Sequence, residues 1–153
     1  MEFSWSQEEN AFRAEVREFL QKNWDASKLP EGPNVDNDAA KKYVREFKKK
    51  LAEKGWLTMS WPKEYGGQDA SYIQQMIFRE EGAIVDAPIG GGGEQILAPA
   101  IMLNGTEEQK KEYLVPMTTG EVLWSQGYSE PGAGSDLASL QTRAVKDGDE
   151  YII

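Results

Sequence analysis

The apolar positions of this chain keep a helical spacing through most of its length and then change period. Ser6 and Glu9 open the pattern as a capping box, with the Ser hydroxyl taking the Glu9 amide and the Glu9 carboxylate reaching back to the Ser6 amide. Behind them Phe12, Val16, Phe19 and Leu20 fall on one helical face. Pro30, Gly32, Pro33 and Asn34 make residues 27–37 a loop. A second helix starts near Asn37 or Asp38, carries Val44, Phe47 and Leu51 as its apolar stripe, and ends at Gly55. Lys48, Lys49 and Lys50 read as its solvated face, late in the helix where cations oppose the dipole favourably. Residues 55–67, with Trp56, Trp61 and Pro62, have no period and read as an ordered loop whose aromatics plug the gap between helices or line a ligand.

A third helix is expected over about residues 70–85, with Ile73, Met76, Ile77 and Ile84 turned inward. Four glycines, Gly90 to Gly93, precede a fourth helix at about residues 94–103. Glycines ahead of a helix can cradle phosphate, but this run has no P-loop lysine and no preceding strand. Close backbone packing or a mobile entry to the helix is the preferred reading. Thr106 to Gln109 is another capping box, and the short fifth helix it opens is expected to stop before Pro116. The period then shortens. Residues 122–129 look strand-like, another extended stretch lies near residues 140–145, and Asp147-Gly148 signals a hairpin that returns through Tyr151, Ile152 and Ile153. The expected organisation is therefore mainly α, a helical domain over residues 1–119 followed by the first strands of a β domain over residues 120–153. A hairpin left as a sheet edge is marginal, so the sequence reads as cut inside that β domain.

Composition narrows the chemistry. The 153 residues include no Cys and no His, which removes disulfides, thiolate nucleophiles, Cys/His zinc sites and His-based triads. No metal site is expected. The net charge of −9 opposes nucleic acid and anionic membrane as partners, although a local amide-lined anion site stays open. The chain has no apolar run near the roughly 20 residues a membrane span needs. Its start lacks the basic and apolar regions of a secretory signal, so a cytoplasmic location is expected.

Residues 127–139 carry the most chemistry. Gly132 and Gly134 permit unusual or closely approached backbone, Ser129 and Ser135 supply hydroxyls, and neighbouring amides can form an anion-accepting nest. Such a loop suits a pyrophosphate, and equally an ordinary tight connection. The run from Ser129-Glu130-Pro131 into Ala133-Gly134-Ser135-Asp136 resembles the acyl-CoA dehydrogenase signature. Other stretches agree in order and spacing: Gly55-Trp56 leading to residues 61–67, Asn104 to Lys110 leading to Tyr113-Leu114-Val115-Pro116, and then Gly120-Glu121.

The resemblance implies an N-terminal helical domain, a middle β domain and a C-terminal helical bundle, with FAD between the last two. It implies acyl-CoA as substrate, loss of the α-proton to a Glu, transfer of the β-hydride to flavin N5, and an electron-transfer flavoprotein as acceptor in a homo-oligomeric enzyme. By position, Gln126, Tyr128 and Ser129 would lie along the flavin ring. Gly134 and Ser135 would lie by the pyrophosphate or ribityl, and Ser135 also by the substrate's pantetheine end. Tyr128 stands where the family usually has a smaller aliphatic residue. The catalytic Glu is expected in the bundle, so no catalytic residue is assigned in this chain, and Glu130 reads as a structural turn carboxylate. The competing reading is a non-catalytic acidic helical protein that serves assembly or binding on the same scaffold.

Overall fold

The structure, a computed structural model, describes residues 4–30, 37–91, 93–122, 124 and 127–153. Its helices are α1 (Gln7–Asn23), α2 (Asp38–Glu53), α3 (Tyr72–Ile84), α4 (Ala98–Asn104) and α5 (Glu107–Thr118). Its strands, β1 (Val145–Asp147) and β2 (Glu150–Ile152), pair antiparallel. The mainly helical class with a short terminal sheet is the one the change of period predicts.

Local chemistry sets the helix ends. The Glu9 amide donates to Ser6 Oγ at 3.1 Å and the Ser6 amide donates to Glu9 Oε2 at 2.7 Å. The same box opens α3 at Ser71 and Gln74 and α5 at Thr106 and Gln109. At the end of α2, Gly55 takes φ +68° and the amides of Gly55 and Trp56 donate to Ala52 and Leu51, each at 2.8 Å. That Schellman closure turns Trp56 back into the core.

Two apolar clusters hold the body. In the first, Val16, Leu20 and Trp24 meet Phe47 and Leu51 of α2, Phe78 of α3, and Trp56, Leu57 and Met59. Trp56 lies edge-on to Phe12, Phe19 and Phe78, with ring centroids 5.8, 5.1 and 5.7 Å away. The aromatics of residues 56–61 are therefore the plug the sequence suggested. In the second cluster Trp61 joins Ala98, Leu114 and Met117.

A buried carboxylate locks α1 to α3. Glu81, 2% exposed, receives Arg17 through Nε and Nη2, both at 2.9 Å, and Arg13 Nη1 at 2.8 Å. Arg13 Nη2 also reaches Glu80 at 2.7 Å.

Several expectations are corrected. Of the α3 residues expected inward only Ile77 is buried; Ile73, Met76 and Ile84 are exposed, and Phe78, Glu81 and Gly82 fill the inner face. The inward stripe is rotated because the Glu81 clamp, not the apolar count, faces α1. Lys48 is buried rather than solvated. Helix α5 runs through Pro116 to Thr118, since Leu114 and Met117 on either side are buried in the second cluster. The hydroxyls of Thr118 and Thr119 also take up the carbonyls of Val115 and Pro116. No described residue of 122–129 is in a strand; Leu123, Ser125 and Gln126 lie outside the described residues. Strand propensity expresses fit to sheet neighbours, and here the only sheet among the described residues is the β1–β2 hairpin. Its turn residues are Gly148 and Asp149, because Asp147 pairs with Glu150. Most of the expected loop over residues 27–37 also lies outside the described residues.

The clamp makes a prediction about acid stability. Hydrogen bonds from Arg17 first, with those from Arg13, outweigh the effect of burial and hold the Glu81 carboxyl below its ordinary range. A carboxyl lowered in the folded state contributes its full stability above the unfolded value of about 4.3 and loses it as pH falls through the folded value. Glu81→Gln leaves two guanidinium groups facing a neutral amide, and should cost about 3 kcal/mol at neutral pH. Thermal melts followed from pH 7 downward should show the wild-type advantage shrinking below about pH 4.3. Parallel curves for the two proteins would mean that the Glu81 charge does not couple to folding.

Candidate functional site

The loop after Gly127 is built around one carboxylate. The Glu130 amide donates to the Ala133 carbonyl and the Ala133 amide returns to Glu130, both at 3.0 Å, closing a turn over Pro131 and Gly132. The Glu130 carboxylate accepts the amides of Gln141 at 2.6 Å and Thr142 at 2.9 Å, and the Thr142 hydroxyl. The Thr142 hydroxyl first, and then those amides, keep its pKa below the ordinary carboxylate range. Glu130 thus acts as a turn carboxylate. The Ser139 hydroxyl, within 3.0 Å of the Gly132 carbonyl and 2.9 Å of the Asp136 carbonyl, holds the other side of the turn.

This closure brings two of the predicted cofactor residues together. Ser129 Oγ lies 3.9 Å from where a Cβ on Gly134 would sit. Ser129, Gly134 and Ser135 are exposed, and Tyr128 projects into solvent with 76% of its surface free. Space is open where a Cβ would stand on Gly127 and Gly132. Gln126 lies outside the described residues. The loop therefore offers hydroxyls and approachable backbone, with no Lys or Arg between Gly127 and Thr142. Such a donor set fits a flat ligand with polar edges and a pyrophosphate met by neutral donors, which is the chemistry of FAD.

A second constellation lies at the entry to α4. Residues Gly93–Leu97 form a π-helical turn leading into α4. Lys48 Nζ donates to Glu94 Oε1 at 3.2 Å, and both side chains are 8% exposed. Trp61 Nε1 donates to the Glu94 carbonyl at 3.0 Å. A Cβ on Gly91 would lie 2.5 Å from Glu94 Oε2, and one on Gly93 would lie 2.5 Å from Trp124 Cβ. At Gly91 and Gly93, close backbone packing is what the glycine run provides; Gly92 lies outside the described residues. Beside the turn is an open cavity of about 510 Å³ lined by Trp61, Tyr65, Arg79, Glu94, Gln95 and Leu103 among others. Nothing in the sequence pattern singles out Glu94. Lys48 does carry a signal, since it falls in step with Val44 and Leu51 on the apolar stripe of α2.

The family model described as acyl-CoA dehydrogenase, N-terminal domain, matches residues 6–121. The chain belongs to the acyl-CoA dehydrogenase family, whose members act on acyl-CoA and depend on FAD. Acyl-CoA dehydrogenase FadE26 of Mycobacterium tuberculosis is 49% identical over 109 residues, covering 71% of this chain and 27% of that protein. The crystal structure of the ChsE4-ChsE5 complex from Mycobacterium tuberculosis matches with a TM-score of 0.80 at 39% identity, over 99% of this chain and 38% of that one. The Tcur3481-Tcur3483 steroid ACAD matches with a TM-score of 0.77 at 37% identity, over 99% of this chain and 39% of that one. The chain thus spans between 27% and 39% of the length of these three relatives. Among the described residues no helix is long and apolar enough to cross a membrane.

If Glu130 organises the loop, Glu130→Ala should release it without touching the helices. Amide hydrogen exchange at Gln141 and Thr142 should accelerate while α1 to α5 keep their protection. Unchanged exchange at those two amides would show that the turn stands without its carboxylate.

Proposed function

We propose that this chain supplies the N-terminal helical domain, residues 1–119, and the cofactor loop, within residues 120–153, of an FAD-dependent acyl-CoA dehydrogenase that introduces an α,β double bond into an acyl-CoA thioester. The observation that carries it is the clamped loop, which sets Ser129 beside Gly134 and leaves both exposed with Ser135. FAD, when bound, supplies the acceptor for the hydride leaving the acyl β-carbon. By the family resemblance, the Ser129 hydroxyl and the loop amides would meet the flavin's polar edge, and Tyr128 and Gln126 would lie along its ring. Gly134 would allow close approach of the pyrophosphate or ribityl, and the Ser135 hydroxyl would serve the same end of the cofactor and the pantetheine arm of the substrate. No carboxylate of this chain is assigned to the α-proton: Glu130 spends its acceptor sites on Gln141 and Thr142, and Glu81 and Glu94 are committed to ion pairs. An electron-transfer flavoprotein is the proposed acceptor, and the proposed location is cytoplasmic.

A second reading concerns assembly and substrate. Of the two solved structures named above, one is the ChsE4-ChsE5 complex and the other the Tcur3481-Tcur3483 steroid ACAD. This favours a bulky, steroid-type acyl-CoA and a partner that is a different chain of the same family over the homo-oligomer expected from the family at large. Native mass spectrometry of the protein expressed alone and together with a second acyl-CoA dehydrogenase chain separates the two.

The protein expressed from its natural gene should purify with about one FAD per subunit complement, read as flavin absorbance per chain, while residues 1–153 alone should hold little. A colourless natural product would favour the non-catalytic scaffold. Stoichiometric FAD on residues 1–153 alone would relocate most of the cofactor contacts into this chain. Ser135→Ala removes one hydroxyl from an exposed loop without filling space. Its loss should weaken FAD or acyl-CoA binding by about 1 kcal/mol if the bond is to a neutral group, and by roughly 2–3 kcal/mol if it is to a phosphate oxygen. Thermal stability should hardly change; unaltered affinities would make Ser135 an ordinary turn residue.

A further inference from the structure

We infer that the buried Lys48–Glu94 pair is a positioning device that fixes where the chain enters the cofactor loop; the inference rests on the FAD reading above. Two contacts converge on Lys48. Its side chain holds Glu94, which anchors the π-helical turn, and that turn seats Trp124 against Gly93, where a Cβ would come within 2.5 Å of the Trp124 Cβ. Its backbone receives the chain leaving α5: Gly120, at φ +68°, packs so tightly that a Cβ there would stand 3.1 Å from the Lys48 carbonyl oxygen. Gly120 and Trp124 are thus both indexed on one residue of α2, and Trp124 lies three residues ahead of Gly127, where the cofactor loop begins. From the far side Tyr113 of α5 packs edge-on against Trp124, with centroids 5.8 Å apart.

The pair's chemistry suits positioning better than stability. Taking both charges out of water largely cancels their attraction, so apolar replacements of similar volume often cost nothing in stability. What the pair adds is direction. Burial leaves the Lys48 ammonium and the Glu94 carboxylate no water to turn to, so each is held to the other, whereas apolar side chains can slide. The Trp61 indole donating to the Glu94 carbonyl fixes the same residue through its backbone. A π-helical turn inside a helix is itself an irregularity that recurs at functional sites.

The test uses the protein expressed from its natural gene, stripped of flavin and titrated with FAD, beside thermal melts and the visible flavin spectrum. In Lys48→Met/Glu94→Leu both charges go and volume is kept. The melting temperature should stay near wild type while FAD binds roughly tenfold more weakly or worse, with a shifted flavin spectrum, because a site displaced by about an ångström loses much of its pre-organisation. Glu94→Gln, which leaves Lys48 without its counter-charge, should lose both stability and affinity. Gly93→Ala provides an independent arm, since it leaves the pair intact and pushes on Trp124; it too should weaken FAD binding. Wild-type affinity and spectrum in either the double variant or Gly93→Ala would overturn the inference and leave the pair a structural element. A wild-type protein with no affinity for FAD would instead sink the functional reading, and the inference with it.

Discussion

The fold depends most on the carboxylate of Glu81. A carboxylate taken out of water is costly unless it is paired and hydrogen-bonded, and here two arginines of α1 satisfy it from one side. The Arg17 contact is bidentate, so it fixes rotation as well as distance. Apolar contact alone is non-directional and would let α3 turn about its axis. That is why α3 presents Ile77, Phe78, Glu81 and Gly82 inward and leaves Ile73, Met76 and Ile84 to solvent. Gly82 completes the arrangement, since a Cβ there would meet Ile89 Cδ1 at 2.6 Å and push away the segment that leads to the glycine run.

With α1 and α3 fixed, the segment after α2 has only one course. Trp56, Leu57 and Met59 enter the first cluster and Trp61 enters the second, so one short non-helical stretch is shared by both cores. A segment with a side chain in each cluster ties the α4–α5 layer to the three longer helices without a long helix–helix interface. Trp61 also donates to the Glu94 carbonyl, and Gly93 beside Glu94 packs against Trp124, so the same stretch reaches the π-helical turn as well.

The helices and their capped ends were legible in the sequence because their causes are local, whereas the end of α5, which runs past Pro116 to Thr118, was not. Ser6 with Glu9 and Thr106 with Gln109 cap as expected, and Gly55 closes α2. The loop closing on Ser129 and Glu130 was legible as a motif, and the role of Glu130 as a turn carboxylate followed from its chemistry. What stayed hidden is what needs two distant segments at once. Lys48 falls in step with the apolar stripe of α2, but its partner Glu94, far along the chain, has no signal in the sequence. Glu81 looks like one acidic residue among many until Arg13 and Arg17 are opposite. The expected strand at residues 122–129 failed for the same reason: pairing is a property of neighbours, and none of its described residues has a strand beside it.

The charge of the chain bears on how its loop would hold an anionic cofactor. With a net charge of −9, the field at long range opposes a pyrophosphate, so steering by attraction is not available to this domain. Within residues 127–142 the charged side chains are Glu130 and Asp136, both acidic. Glu130 accepts from the Gln141 and Thr142 amides and the Thr142 hydroxyl, so three donors occupy its carboxylate. An anion beside Ser129 and Gly134 would meet hydroxyls and amides, whose bonds act over hydrogen-bond distances and are screened little by salt compared with exposed charge pairs. Recognition of that kind depends on geometry more than on charge. A loop that relies on geometry needs its entry fixed, and that is the service a rigid helical body, locked by Glu81 and registered by Lys48, can provide.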